Sequence, residues 1–333
     1  MQAPARTPGQ AVPGQAVPGA IWALLGVGLL CYGSSSILVR AAGPVEPLAI
    51  AAWRTTFVAL LLAPVAAVKA SGELVRMSRR EWALVVASGV LLGFHFIAWI
   101  VSVQLTTVAA ASVLVTTSPL WIAVFGALGF GARADRRTLL AVGLGVAGAA
   151  LVGLGGAVGG PAPAGAAVGN ALALGAAALV SVYYLVGQGV RQRASFLAFF
   201  APVNAVAALT ALLACWVSGT SLALPPETVA LCFAMAVGPG LVGHGSFASA
   251  LRHVPASTLS LLSLAEPVLA SVMAVVLFGE MPAGLALAGM AGVLVSIAVV
   301  VTARRPTTGA GVPVSASPAG PRSAGGPSRS GPR

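Results

Sequence analysis

Stretches of about 20 apolar residues, each long enough for an α-helix to cross a bilayer, recur along almost the whole chain. Short polar or glycine-rich loops separate them. The stretches are continuously apolar, whereas strands of a transmembrane β-barrel alternate apolar and polar residues. The pattern therefore predicts an all-α polytopic membrane protein. It predicts ten spans, at 20–40, 47–68, 82–103, 107–129, 138–157, 168–188, 195–218, 228–250, 255–278 and 283–302.

The composition and charge distribution agree with a membrane protein. Of 333 residues, 58% are hydrophobic and only 8% are charged, too few to cover the surface of a soluble domain. The net charge of +11 comes from loops and a tail rather than from one folded face, which argues against a nucleic-acid partner. The basic residues follow every second span: Lys69, Arg76, Arg79, Arg80, Arg133, Arg136, Arg137, Arg191, Arg193, Arg252, Arg304 and Arg305.

This alternation predicts the orientation in the cell membrane. Because basic loops stay on the cytoplasmic side, both termini are expected to be cytoplasmic. Residues 1–19 are rich in Gly and Pro, and the basic residues 304–333 are rich in Gly, Pro and Ser, so both are predicted to be disordered tails. Five tryptophans near span ends are predicted to anchor at the membrane interfaces. They are Trp22, Trp53, Trp82, Trp99 and Trp216, whereas Trp121, in the middle of span four, is expected to face lipid or a cavity.

The two halves of the chain form an internal repeat. With an offset of 148 residues, six residues of the first half match the same residue types in the second. They are Ser112, Leu114, Pro119, Val124, Phe130 and Gly131, against Ser260, Leu262, Pro267, Val272, Phe278 and Gly279. The predicted repeats are residues 20–160 and 161–303, with five spans each. An odd number of spans inverts the second copy, an arrangement typical of alternating-access carriers.

Glu266 and Pro267 lie in the middle of an apolar run, and a carboxylate at that depth favours a functional site. It is expected to couple protons, to pair with a cationic substrate group, or to hydrogen-bond backbone freed by Pro267. Arg54, within span two, is expected either to extend to the outer headgroups or to bind a substrate carboxylate with its planar guanidinium.

Other polar residues within the spans are weaker candidates. His95 and His244 occupy equivalent spans and are candidate proton relays, or hydrogen-bonded packing residues. They lack a third ligand at metal spacing, so no metal site is expected. Three further side chains are expected to line a cavity or to bond between helices: Tyr32, Tyr183 and Asn204. Helix breaks are predicted at Pro119, Pro239 and Pro267.

The segments GHGSFASALRHVPAS (243–257), LAEPVLA (264–270) and LFGE (277–280) resemble the second repeat of EamA-type transporters of the drug/metabolite transporter superfamily. Arg54, after Trp53, is similar to an arginine often found in the second span of that family. The first repeat departs from the pattern, with Ser118 before Pro119 and Ala132 at the position of the closing glutamate. The resemblance implies ten spans, cytoplasmic termini and transport, usually export, of small organic solutes.

The sequence therefore predicts a secondary transporter that exports a small polar or amphipathic metabolite, such as an amino acid, by alternating access. The proton is a candidate coupling ion, no cofactor is expected, and a homodimer is left open. No phosphate-binding motif of the type G-x-x-x-x-G-K-[ST] is present, which argues against direct use of ATP. A membrane-embedded enzyme of lipid metabolism and a non-transporting sensor or assembly factor are the alternatives. The scattered acids and histidines argue against the enzyme.

Overall fold

The computed structural model of the chain describes residues 17–106, 108–129, 136–156, 164–278 and 284–302. Most of the two predicted tails lies outside these ranges. Within them every regular element is a helix, which agrees with the all-α prediction. The helices are α1 (Gly19–Gly33), α2 (Ser35–Ala41), α3 (Pro47–Lys69), α4 (Ser71–Arg76), α5 (Arg79–Leu105), α6 (Val108–Val115), α7 (Ser118–Gly129), α8 (Arg136–Gly156), α9 (Ala166–Arg191), α10 (Phe196–Ser218), α11 (Pro226–Met235), a π-helix (Ala236–His244), α12 (Gly245–Ala250), α13 (Ala256–Ser263), α14 (Ala265–Phe278) and α15 (Gly284–Thr302).

Six helical segments are long and apolar enough to cross a membrane: Gly19–Ala41, Pro47–Lys69, Arg79–Leu105, Ala166–Arg191, Phe196–Ser218 and Pro226–Ala250. Four shorter apolar helical segments accompany them: Ala110–Gly126, Leu139–Leu151, Ala256–Ala270 and Leu287–Val299. The chain is thus a multi-pass membrane protein. Each of the ten predicted spans overlaps one of these segments. Only six have the length of a full crossing, so the number ten stays a prediction.

Helix interruptions fall next to the three prolines singled out in the sequence. A turn at Thr116–Thr117 separates α6 from α7 just before Pro119, and a turn at Leu264 separates α13 from α14 just before Pro267. Leu264 follows Thr116 by the offset of the repeat, so the two turns are equivalent. Pro239 lies inside the π-helix. A proline donates no backbone hydrogen bond and crowds the preceding turn, which accounts for such irregularities.

α3 and α10 pack against each other and are joined near both ends. Near the start of α3, Trp53 Nε1 donates to the carbonyl of Leu222, at 2.9 Å. Beyond the other end, the backbone N–H of Ser195 donates to a carboxylate oxygen of Glu73, at 2.7 Å. Both bonds link the first half of the chain to the second. α3 is thereby fixed alongside α10, and it carries Arg54 into the interior.

α8 and α15 touch through their backbones. A Cβ atom on Gly148 would lie 2.7 Å from the carbonyl oxygen of Gly289 and 2.8 Å from the backbone nitrogen of Val293. Backbone atoms cannot move aside without separating the helices. We expect Gly148→Ala to destabilise the protein by about 1–3 kcal/mol, the usual cost of overpacking, and to lower the melting temperature in detergent by several degrees.

Gly143, on the same helix, is the matched control, because a Cβ there would meet no atom within 4 Å. Gly143→Ala should melt at the wild-type temperature or slightly above it, since alanine favours a helix more than glycine does. Equal melting temperatures for the two alanine variants would contradict the close approach of α8 and α15.

Candidate functional site

A small cavity lies among residues of both halves of the chain. Its charged and aromatic lining residues are Tyr32, Arg54, His95, Phe96, Trp99, Tyr184, His244 and Glu266. Four hydroxyl residues complete its polar lining: Ser35, Thr116, Ser118 and Ser263. The turns before Pro119 and Pro267 and the end of the π-helix all border it. The centres of water molecules could occupy a volume of about 30 Å³ in this cavity, which is enough for a few waters.

Arg54 projects from α3 into the protein rather than towards lipid. The residue is only 1% exposed. Its Cζ atom lies 4.2 Å from the ring centroid of Phe96 and 5.9 Å from that of Trp99. These distances suit cation–π attraction. None of its three guanidinium nitrogens has a hydrogen-bond partner in the described part of the chain. The side chain is therefore a buried cation with all of its N–H donors unused.

Glu266 lies in the first turn of α14 and lines the same cavity at 5% exposure. Arg54 and Glu266 therefore border the same space. They do not form a direct hydrogen-bonded ion pair, because the guanidinium nitrogens remain without a partner among the residues described. A guanidinium group and a carboxyl group, not bonded to each other, thus border one cavity.

Hydrogen bonds fix the histidines and tyrosines of the cavity. The Tyr32 hydroxyl is 2.8 Å from His244 Nδ1 and 3.2 Å from the Tyr184 hydroxyl. His95 Nδ1 is 2.8 Å from the carbonyl oxygen of Ala176. A carbonyl oxygen only accepts, so Nδ1 of His95 carries the hydrogen and Nε2 of the neutral ring is an acceptor. The two imidazole centroids are 6.0 Å apart. The described residues contain no group of three His, Cys, Asp or Glu side chains arranged to hold a metal ion.

The sequence profile of the EamA-like transporter family matches the chain twice, over residues 17–154 and 167–302. The chain belongs to the EamA-like transporter family. This confirms the resemblance to the drug/metabolite transporters and the presence of two EamA repeats. The family is one of transporters embedded in a lipid bilayer that act on small molecules, which is consistent with a protein that is not an enzyme.

Solved structures show a related fold. The fold of this protein matches 29 chains of solved structures significantly. One crystal structure, described only as that of a protein, has a TM-score of 0.71 over 86% of this chain and 98% of its own, with 20% sequence identity. At that identity the likeness concerns the fold alone. No curated protein matches the chain significantly.

Three candidate residues of this family member do not line the cavity. Tyr183 is fully buried, with its ring stacked on that of Phe199 at 6.2 Å. Trp121 stacks on Phe125, with 5.7 Å between ring centroids. Asn204 Nδ2 donates to the carbonyl of Phe200, one turn earlier in α10, at 2.8 Å. The other five candidates meet at the cavity: Glu266, Arg54, His95, His244 and Tyr32.

Trp99 was predicted to be an interfacial anchor, and this prediction is wrong. The residue is 4% exposed and lines the cavity. Proximity to the end of a span does not define which side of the helix a side chain occupies. The spacing between His95 and Trp99 does define it, because residues four apart lie on the same face of a helix. Phe96, three residues before Trp99, also lines the cavity and was not predicted.

Proposed function

We propose that the chain is a secondary carrier of the cell membrane that exports an amino-acid-like metabolite by alternating access. The observation that carries this proposal is that Arg54 and Glu266 face one buried cavity between the two repeats without pairing with each other. Such a site suits a small solute with one anionic and one cationic group. Each charge of the solute would then meet its opposite in the protein.

Arg54 supports binding of a carboxylate. A buried charge without a partner lowers the stability of a typical protein by several kcal/mol. The guanidinium of Arg54 also carries five N–H donors, and none of its nitrogens has a partner among the described residues. A carboxylate accepts two parallel hydrogen bonds from one guanidinium, and this geometry is stronger and more specific than a single contact. An anionic group of the solute therefore supplies what Arg54 lacks.

Two hydroxyl groups in the cavity lining, together with Glu266, support binding of an ammonium group. The Thr116 hydroxyl donates to the carbonyl of Val113 at 2.9 Å, and the Ser263 hydroxyl donates to that of Ser260 at 2.7 Å. Their protons are committed to these helices, so both oxygens offer only lone pairs to the cavity. Together with the Glu266 carboxylate they are acceptors. The lining of the cavity thus combines donors at Arg54 with acceptors at Glu266, Thr116 and Ser263.

The size of the cavity supports a change of conformation during transport. The room in it for water-sized molecules is small, about 30 Å³. We expect the helices of the two repeats around the site to move apart when a larger solute binds. The proline-associated turns beside Thr116 and Glu266 are suitable places for such movement, as discontinuous helices border the substrate site in many inverted-repeat carriers. The proton is the proposed coupling ion, with Glu266, His95 and His244 as the candidate residues that carry it.

Transport into proteoliposomes tests the proposal with two matched sets of solutes. One set is L-leucine, 3-methylbutylamine and 4-methylpentanoate, and the other is L-phenylalanine, 2-phenylethylamine and 3-phenylpropanoate. Within each set the side chain is shared while one charged group is removed. We expect transport of an amino acid and little transport of its two relatives, measured against protein-free vesicles. Equal transport of all three, or of none in either set, would overturn the zwitterion proposal.

Both termini and α4 are proposed to be cytoplasmic, and the loop after α10 external. The free cysteines Cys31, Cys215 and Cys232 are first replaced. The exposed Ser221 and Ser71 are then changed to cysteine, one at a time. Ser221→Cys should react with a membrane-impermeant maleimide on intact cells, and Ser71→Cys only after permeabilisation. The reverse pattern would show the opposite orientation.

A further inference from the structure

Given the carrier function above, we propose that the indole N–H of Trp99 is a second donor to the carboxylate of the solute. Trp99 and Arg54 then form one anion-binding pole of the cavity. Trp99 is a specificity-determining residue that helps to distinguish a carboxylate from smaller or singly accepting groups.

The first support is an unused donor. Trp99 Nε1 is buried and has no hydrogen-bond partner in the described part of the chain. A buried tryptophan usually finds a partner for its N–H group. Trp53 does so, since its Nε1 donates to the Leu222 carbonyl. A donor without a partner in a cavity wall is explained if the ligand supplies the acceptor.

The second support is the position of Trp99 beside Arg54. The Trp99 ring centroid is 5.9 Å from Arg54 Cζ, and both residues line the cavity. The two side chains that carry the unsatisfied donors are thus neighbours. Phe96 lies against the guanidinium at 4.2 Å. This cation–π contact uses the face of the guanidinium and leaves its N–H groups without a hydrogen-bond partner among the described residues.

The third support is the rigid placement of Trp99. It lies within the continuous helix α5, one turn after His95. His95 is held by the Ala176 carbonyl at 2.8 Å, and the Ser102 hydroxyl donates to the Trp99 carbonyl at 2.7 Å. A donor on a fixed helix loses little conformational freedom on binding.

The chemistry matches a carboxylate. Its two oxygens offer about four acceptor sites. A bidentate contact with Arg54 uses two of them, which leaves room for a further N–H donor. Loss of a hydrogen bond to a charged group weakens binding by roughly 10–100-fold.

The experiment compares Trp99→Phe with the wild type, using L-leucine and L-phenylalanine in proteoliposomes. Phenylalanine keeps an aromatic ring next to Arg54 and removes the N–H. We expect KM to rise about 10-fold, as for one lost hydrogen bond to a charge, with kcat largely retained. Trp216→Phe is the control, because Trp216 is 77% exposed. It should leave KM unchanged.

A second measurement follows the indole N–H group of Trp99 directly. The chain has six tryptophans, and ¹⁵N-indole labelling should give one NMR signal for each. The signal missing from Trp99→Phe should shift in the wild type when the transported amino acid is added, and not when its amine relative is added. A shift in none of the six signals would overturn the inference even if the phenylalanine variant failed to fold.

The outcomes separate this inference from the proposed function. Normal KM in Trp99→Phe, together with transport that depends on Arg54, would overturn the role of Trp99 and leave the carrier function intact. Absence of amino-acid transport by the wild type would overturn the proposed function and, with it, the role of Trp99.

Discussion

Replacement of Arg54 by methionine is expected to weaken amino-acid transport strongly and, in the same protein, to raise the melting temperature without solute. Loss of a charge-assisted, two-pronged contact should raise KM by roughly 10–100-fold. Methionine fills a similar length with apolar atoms. It also removes a buried cation that has no hydrogen-bond partner among the described residues, and a buried charge without such a partner lowers stability. Opposite changes in function and stability are the signature of a site built for a ligand.

Arg54→Lys refines this prediction. Lysine keeps the positive charge but lacks the planar fork, so its KM should lie between those of the wild type and Arg54→Met. Arg40→Lys is the control, because Arg40 is exposed and makes one long hydrogen bond, 3.4 Å to the Thr106 carbonyl. Wild-type KM in both Arg54 variants would show that the guanidinium does not contact the solute.

Replacement of Glu266 by glutamine is expected to have the largest effect of any change to an ionisable side chain of the second repeat. Glutamine nearly preserves the shape and removes the charge. If Glu266 carries the coupled proton, accumulation driven by a gradient should be lost, while exchange of solute for solute persists because exchange needs no net proton movement. If it binds the ammonium group, accumulation and exchange should fall together.

Both activities are measured in reconstituted vesicles and corrected for the amount of folded protein. Glu227→Gln serves as the control, since Glu227 is exposed in the first turn of α11. Wild-type accumulation and exchange in Glu266→Gln would rule out a functional role for this buried carboxylate. It would then be a structural residue beside Pro267.

The sequence was sufficient to select, one by one, the two candidate residues with charged side chains that line the cavity. Arg54 and Glu266 are conspicuous because charge inside an apolar run is costly. Their meeting at one cavity could not be predicted, because it depends on how α3 and α14 rotate and pack. Tyr183 and Tyr184 illustrate the same limit. Neighbouring residues on a helix point about 100° apart, and only Tyr184 reaches the cavity.

The position of Trp99 was predicted from a general preference of tryptophan for membrane interfaces and not from its position on its own helix. The rule that places tryptophan at membrane interfaces uses only its position along the span. The spacing of four residues between His95 and Trp99 places both on the same face of α5, and this could have been read from the sequence. The turns in the ninth and fourth spans were easier to predict, because proline acts on the backbone locally and does not depend on distant packing.

The bonds that join α3 and α10 near both ends constrain how the protein moves. One bond connects Trp53 with Leu222 and the other connects Ser195 with Glu73. Each bond crosses between the repeats, so a tilt of one whole repeat against the other would break both. We therefore expect α3 and α10 to stay together while the helices around them move. Spin labels on α3 and α10 should report a constant separation, whichever side of the membrane the cavity faces.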